Sequence, residues 1–157
     1  ASLLEHGQVD FVIVNYPNSA LSSTHIPRVI NEFRDVFVAN RQYFPLDGRE
    51  VSLEDLQKYP ILMLDRKSTT SEFLHAMFQR SHLDLVPEIE LSSNDLLIDL
   101  ARIGLGIAFV PDFCIPANDK DLFVVKLKEE LPKRQMVVAY NERMPISQTA
   151  KQFMSML

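Results

Sequence analysis

The chain has 157 residues, near the modal size of one domain, and a chain this long buries roughly 70% of its unfolded surface without a disulfide or metal staple. Hydrophobic residues make up 46% and charged residues 24%, ordinary globular values that exclude disorder, collagen-like repeats and low-complexity assembly. Sixteen Lys and Arg against twenty-one Asp and Glu give a formal charge of −5 with no basic run, so no phosphate-gripping nucleic-acid surface is expected within this chain.

Ser2 to His6 reads as the last turn of a helix closed by Gly7, because glycine takes the left-handed cap conformation without steric cost. Val9 to Val14 is a nearly continuous apolar run of strand length, the pattern of a parallel strand covered on both faces. Pro17, Asn18, Ser19, Ser22, Ser23 and Pro27 mark a loop, and Val29-Ile30 and Asp35 to Ala39 read as two extended segments. Val51 to Lys58 is a short helix in which Ser52 and Asp55 form a capping box, and Pro60 ends it. Ile61 to Leu64 is the next strand.

After that strand, Ser68 to Glu72 opens a helix with Phe73, Leu74, Met77 and Phe78 at helical spacing, Thr69 and Glu72 matching a capping box. Pro87 to Leu91 alternates as a strand, Ser92 to Asp95 supplies a second cap cluster, and Leu96, Leu97, Leu100, Ala101 and Ile103 make one apolar stripe closed by Gly104. Ile107 to Val110 is a buried-type strand stopped by Pro111. Leu122 to Leu127 and Met136 to Tyr140 are further strands, and Ile146, Ala150, Phe153, Met154 and Leu157 form the stripe of a last helix started near Ser147. The alternation of strands and helices predicts an α/β protein.

The chemistry-bearing residues narrow the function. Cys114 is the single cysteine, so no intramolecular disulfide forms, CxxC and Cys₄ zinc patterns are excluded, and a reducing, cytoplasmic compartment is expected. The first twenty residues have no basic segment leading into an apolar one, and no apolar run approaches the roughly 18 to 20 residues that cross a bilayer; neither secretion nor a membrane partner is expected. His6, His25, His75 and His82 match no metal-ligand spacing, so neither a metal nor a cofactor is expected. Gly104-Leu105-Gly106 follows a helix where a dinucleotide fingerprint would precede one, and reads as a cap and tight turn. Cys114 reads as a structural thiol.

Two places stand apart, because the strands at 61–64 and 87–91 each run into a Ser/Thr/Asn cluster that starts a helix. In open α/β sheets that position lies at the carboxyl ends of the strands, where helix N-terminal N–H groups and hydroxyls face the ligand crevice. Ser68, Thr69, Ser92, Ser93 and Asn94 thus read either as plain caps or as a small-anion pocket, with Arg66 and Lys67 nearby as added attraction.

The chain resembles the effector-binding (substrate-binding) domain of LysR-type transcriptional regulators. The resemblance rests on Gly7 to Val14, on Val51-Ser52-Leu53-Glu54-Asp55-Leu56 with Tyr59-Pro60, and on Ser92 to Asp95 running through Ala101 to the Gly104-Leu105-Gly106 turn, the strand and Pro111. It implies two Rossmann-like α/β subdomains joined by two crossing segments, as in type II periplasmic binding proteins. Residues 1–59 with 119–157 would form the first and 60–118 the second, the first lacking its initial strand and helix. It further implies a small effector in the inter-subdomain cleft, contacted by Ser68, Thr69, Thr70, Ser92, Ser93, Asn40 and Phe109, and the two hydroxyl clusters point to an anionic one. DNA binding would belong to a helix-turn-helix outside this chain, the parent would be a homodimer or homotetramer, and no catalysis is expected. The alternatives are a solute-binding protein or a dehydratase or transferase on the same scaffold.

Overall fold

The computed structural model of the chain describes residues 2–157. In chain order its elements are α1 (Ser2–Glu5), β1 (Phe11–Tyr16), β2 (His25–Phe33), β3 (Asp35–Asn40), β4 (Glu50–Val51), α2 (Leu53–Leu56), β5 (Ile61–Leu64), α3 (Thr69–Arg80), β6 (Ile89–Leu91), α4 (Asn94–Arg102), β7 (Ile107–Pro111), β8 (Leu122–Val124), β9 (Lys126–Leu127), β10 (Arg134–Asn141) and α5 (Gln148–Ser155). The chain divides into two compact units, Ala1–Phe33 with Lys133–Leu157, and Arg34–Pro132. These boundaries lie away from the 59/60 and 118/119 divisions expected from sequence. The physical reason is strand pairing: β3 hydrogen-bonds to β7 along Val36↔Val110 and to β8 along Val38↔Val124, which ties residues 34–59 and 119–132 to the middle of the chain.

The first unit is built on an antiparallel sheet of order β1-β10-β2, with Phe11 opposite Tyr140 and Tyr140 opposite Ile26. Sequence reading expected β1 to be a parallel strand covered on both faces. Instead it pairs antiparallel with β10 and is half-exposed, because it stands at the sheet edge. Ser147 caps α5 by accepting from the Ala150 N–H and donating to Asp10 Oδ2 at 2.8 Å, and Phe153 of α5 stacks on Phe11 at 5.4 Å. The Arg134 guanidinium, buried, lies 5.3 Å from the Phe33 ring centroid.

The second unit carries a five-stranded sheet of order β6-β5-β7-β3-β8. β5 runs parallel to β6 and β7, and β3 antiparallel to β7 and β8. Period-two alternation loads both faces. Phe37, Ile61, Met63, Ile107 and Phe109 point to one side, where Leu74 and Phe78 of α3 meet them; Val38, Leu62, Ala108 and Val110 point to the other, under Leu97, Ile98 and Ala101 of α4. Such two-sided burial is why these strands are near-continuous apolar runs.

Local chemistry sets the element ends. Ser52 and Asp55 form the expected capping box, although α2 is one turn long and Val51 belongs to β4. At α3 the cap is Ser68, which accepts from the Ser71 N–H, and the Thr69–Glu72 box does not form because Thr69 is already helical. The expected strand at 122–127 splits into β8 and β9, which belong to different sheets. α4 closes in a Schellman arrangement, with Gly104 N–H bonded to Ala101 O and Leu105 N–H to Leu100 O. Gly104 sits at φ +83° with the Tyr43 ring packed against its Cα.

Candidate functional site

The parallel strands of the second unit place two helix starts at one end of the sheet. β5 leads into α3 and the adjacent β6 leads into α4, and the two helices lie on opposite faces. Both N-termini therefore emerge at the carboxyl ends of neighbouring strands, the usual ligand position of an open α/β sheet.

The turn after β5 is organised by Asp65. Its N–H bonds to Leu91 O at 2.8 Å, its Oδ1 accepts from the Lys67 N–H at 3.1 Å, and its carbonyl accepts from the Ser68 N–H at 3.0 Å. Ser68 Oγ then accepts from the Ser71 N–H at 3.0 Å. After β6 the same geometry recurs: Ser93 Oγ accepts from the Leu96 N–H at 3.3 Å and caps α4. A serine that accepts a capping bond keeps its O–H to donate. Two such hydroxyls, each beside the positive end of a helix, suit an oxyanion.

The expected site residues separate into three groups. Ser68, Thr69, Ser92 and Ser93 stand at this end of the sheet, the two at 92 and 93 exposed and the two at 68 and 69 half-buried. Thr70 belongs to the same turn, but its residue is only 2% exposed. Asn40 and Phe109 are not brought there. β3 runs antiparallel to β7, so Asn40 at its carboxyl end lies beside the start of β7, where its Nδ2 donates to Arg102 O at 2.6 Å and its Oδ1 accepts from the Gln42 N–H at 2.9 Å. Phe109 is fully buried mid-strand, its ring 4.7 Å from Phe37 and 6.5 Å from Phe73.

Asp65 escaped the sequence reading, although an Asp directly after a strand and three residues before a cap serine is itself a turn signal. Asn94 Oδ1 is buried at the start of α4 with no hydrogen-bond partner, an acceptor that suits a donor group and not an oxyanion. The carboxyl end of β7 is acidic. Burial, and then the charges of Asp95, Asp112 and Asp35, push the Cys114 thiol above its ordinary value and keep it protonated. Beside β5 and β6, Lys67 lies exposed on the loop while Arg66 pairs with Glu90, Nε 3.9 Å from Oε1. Among the described residues no group of three His, Cys, Asp or Glu side chains could hold a metal ion, and no helix is long and apolar enough to cross a membrane.

The family description "LysR substrate binding domain" matches residues 1–157. The chain belongs to this family. Among curated proteins it is 24% identical over 124 residues to the HTH-type transcriptional activator CmpR of Synechocystis sp. (strain ATCC 27184 / PCC 6803 / Kazusa), covering 78% of the chain and 41% of CmpR. The chain thus spans about two fifths of the length of that relative.

Among solved structures, the regulatory domain of Synechocystis PCC6803 CcmR in complex with 2-PG superposes with a TM-score of 0.87 at 20% identity, over 99% of this chain and 74% of that one. The effector-binding domain of QuiR in complex with shikimate gives 0.82 at 17% identity, over 98% and 72%. HinK of Pseudomonas aeruginosa, a LysR family transcriptional regulator, gives 0.77 at 18% identity, over 98% and 53%. The fold of this LysR substrate-binding domain is thereby that of type II periplasmic binding proteins, as the resemblance implied.

Proposed function

We propose that the chain is the effector-sensing part of a longer LysR-type transcriptional regulator and that its ligand is a small anionic metabolite. The ligand is held at the carboxyl ends of β5 and β6 by Ser68, Thr69, Ser92 and Ser93, with Thr70 buried in the same turn behind them. The observation that carries this reading is the pair of serine-capped helix N-termini on adjacent parallel strands. Neighbours of the same fold are described in complex with 2-PG and with shikimate, which supports a small oxygen-rich ligand class. Asn40 and Phe109 act through the scaffold, one holding the end of α4 and the other filling the core.

No covalent step is required of such a domain. A ligand with different affinities for two arrangements shifts their populations, and that difference is the whole signal. In the parent, operator binding falls to a separate helix-turn-helix domain, and the regulator works in the cytoplasm as a homodimer or homotetramer; the partial coverage of the activator CmpR supports a longer parent. The test is a thermal-shift screen of the chain against 2-PG, shikimate, other organic acids, amino acids and inorganic anions. A ligand at a hundred times its Kd adds roughly 2.7 kcal/mol, several degrees for a domain of this size. A saturable shift by one class of anion, without turnover, is expected; silence from every anion, or consumption of the ligand, overturns the reading.

A further inference from the structure

A cavity in the second unit lies along the flank of α3. It is a cleft of about 390 Å³ between α3 and the segment 83–85, with Ser71 and His75 in its wall and Glu72 and Asp84 at its rim. Ser71 is fully buried, and its Oγ has no hydrogen-bond partner. Its own N–H is already spent on the Ser68 cap, so the hydroxyl takes no part in starting the helix. Nε2 of His75, one turn along the same face, is likewise buried without a partner. A buried hydroxyl and a buried ring nitrogen are costly to leave unmatched, which makes the wall of this cleft receptive to a polar group.

The charges decide which polar group. Glu72 projects from the helix and Asp84 from the facing segment, both are exposed, and neither is in an ion pair among the described residues. Arg66, the basic residue in the lining, is already matched by Glu90, with Nε 3.9 Å from Oε1. An anion entering the cleft would meet two uncompensated carboxylates, and an apolar guest would leave Ser71 Oγ unmatched. A protonated amine meets acceptors throughout: the carboxylates, the Ser71 oxygen, and His75 Nε2 in the tautomer that carries its proton on Nδ1.

We propose that this cleft binds a small protonated primary amine, at a place separate from the oxyanion position at the starts of α3 and α4 and opposite to it in charge preference.

The experiment is a ¹⁵N–¹H correlation titration of the chain with ethanolamine and with putrescine at constant ionic strength, sodium acetate serving as the opposite-charge probe. Saturable movement of the Ser71, Glu72, His75 and Asp84 amides is expected with the amines and not with acetate. In the double variant E72Q/D84N, altered only at exposed positions and checked for folding by the same spectra, affinity for the amine should fall at least about tenfold, the equivalent of one charge-assisted hydrogen bond. The variant S93G, altered at the start of α4 and outside the cleft lining, should bind the amine as the unaltered chain does. No saturable movement at these four amides, an equal response to acetate, or undiminished affinity in E72Q/D84N overturns the proposal, whatever becomes of the anion site.

Discussion

Asn40 Nδ2 donates to the carbonyl oxygen of Arg102 at 2.6 Å, joining the end of β3 to the last turn of α4 across 62 positions of sequence. Asn40 is buried, and its Oδ1 is spent on the Gln42 N–H. Asn40→Ala leaves a helix-terminal carbonyl without its partner, so a loss of about 1–3 kcal/mol is expected in denaturant or thermal melts. The same variant should bind an effector anion with unchanged affinity, because Asn40 sits at the far end of the strands from the two serine caps. Weakened binding at unchanged stability would return Asn40 to the ligand.

Gly104 and Gly48 both hold a positive φ, +83° and +76°, yet only Gly104 has a neighbour in the way: a Cβ there would approach Tyr43 Cγ to 2.4 Å, whereas at Gly48 it would meet nothing within 4 Å. Gly48→Ala should cost only the backbone term, about 1–2 kcal/mol. Gly104→Ala should cost about 1–3 kcal/mol more, the penalty of overpacking, and that excess should vanish in a Tyr43→Ala background. Equal costs at the two glycines would show that the Tyr43 ring yields freely.

Asp119 and Arg102 supply a pH dependence. Asp119 Oδ2 accepts from Arg102 Nη2 at 2.8 Å and from Nε at 3.1 Å. These bonds hold the Asp119 carboxyl below the usual carboxylate range and, with Asp99, raise the guanidinium of Arg102. A carboxyl whose pKa falls on folding binds its proton more readily when unfolded. Its stabilisation is complete above the ordinary carboxylate pKa of about 4 and disappears as the pH falls through the lower folded value. Asp119→Asn should therefore lower stability at neutral pH and flatten the acid limb of a stability-versus-pH curve. A parallel acid limb in the variant would assign the acid loss to other groups.

Cys114 should be a slow thiol. Burial and the charges of Asp95, Asp112 and Asp35 all disfavour the thiolate, and the thiolate is the reactive form. Alkylation at neutral pH should be slower in the folded chain than in denaturant, and Asp95→Asn should speed it modestly. A folded rate matching the denatured one would contradict the assigned surroundings.

Much of the second unit was readable from its residues, because Phe37 to Ala39, Ile61 to Met63 and Ile107 to Val110 alternate between two buried faces and so appear as unbroken apolar runs. The serine caps were equally local, a hydroxyl acting on an amide three residues away, and both Ser68 and Ser93 stand where their clusters indicated. Partner choice was not local. Nothing near Asp35 to Asn40 says that this strand runs antiparallel to β7, and that pairing moved the unit boundaries and carried Asn40 to the opposite end of the sheet from Ser68. Phe109 had an apolar strand pattern and no polar handle, which fits the core position it occupies. The turn built by Asp65 was missed because its bonds reach Leu91 on another strand as well as its own neighbours.

The most direct test of the anion site separates capping from ligand binding by replacing each cap serine with glycine, which costs a helix start only a few tenths of a kcal/mol where alanine costs about 1 kcal/mol. Calorimetric titration of the anion selected by the thermal-shift screen into the S68G/S93G variant should lose about 1.5–3 kcal/mol of binding free energy for each donated hydroxyl, with a melting temperature close to that of the unaltered chain. An affinity equal to that of the unaltered chain would contradict the account and leave both serines as caps alone.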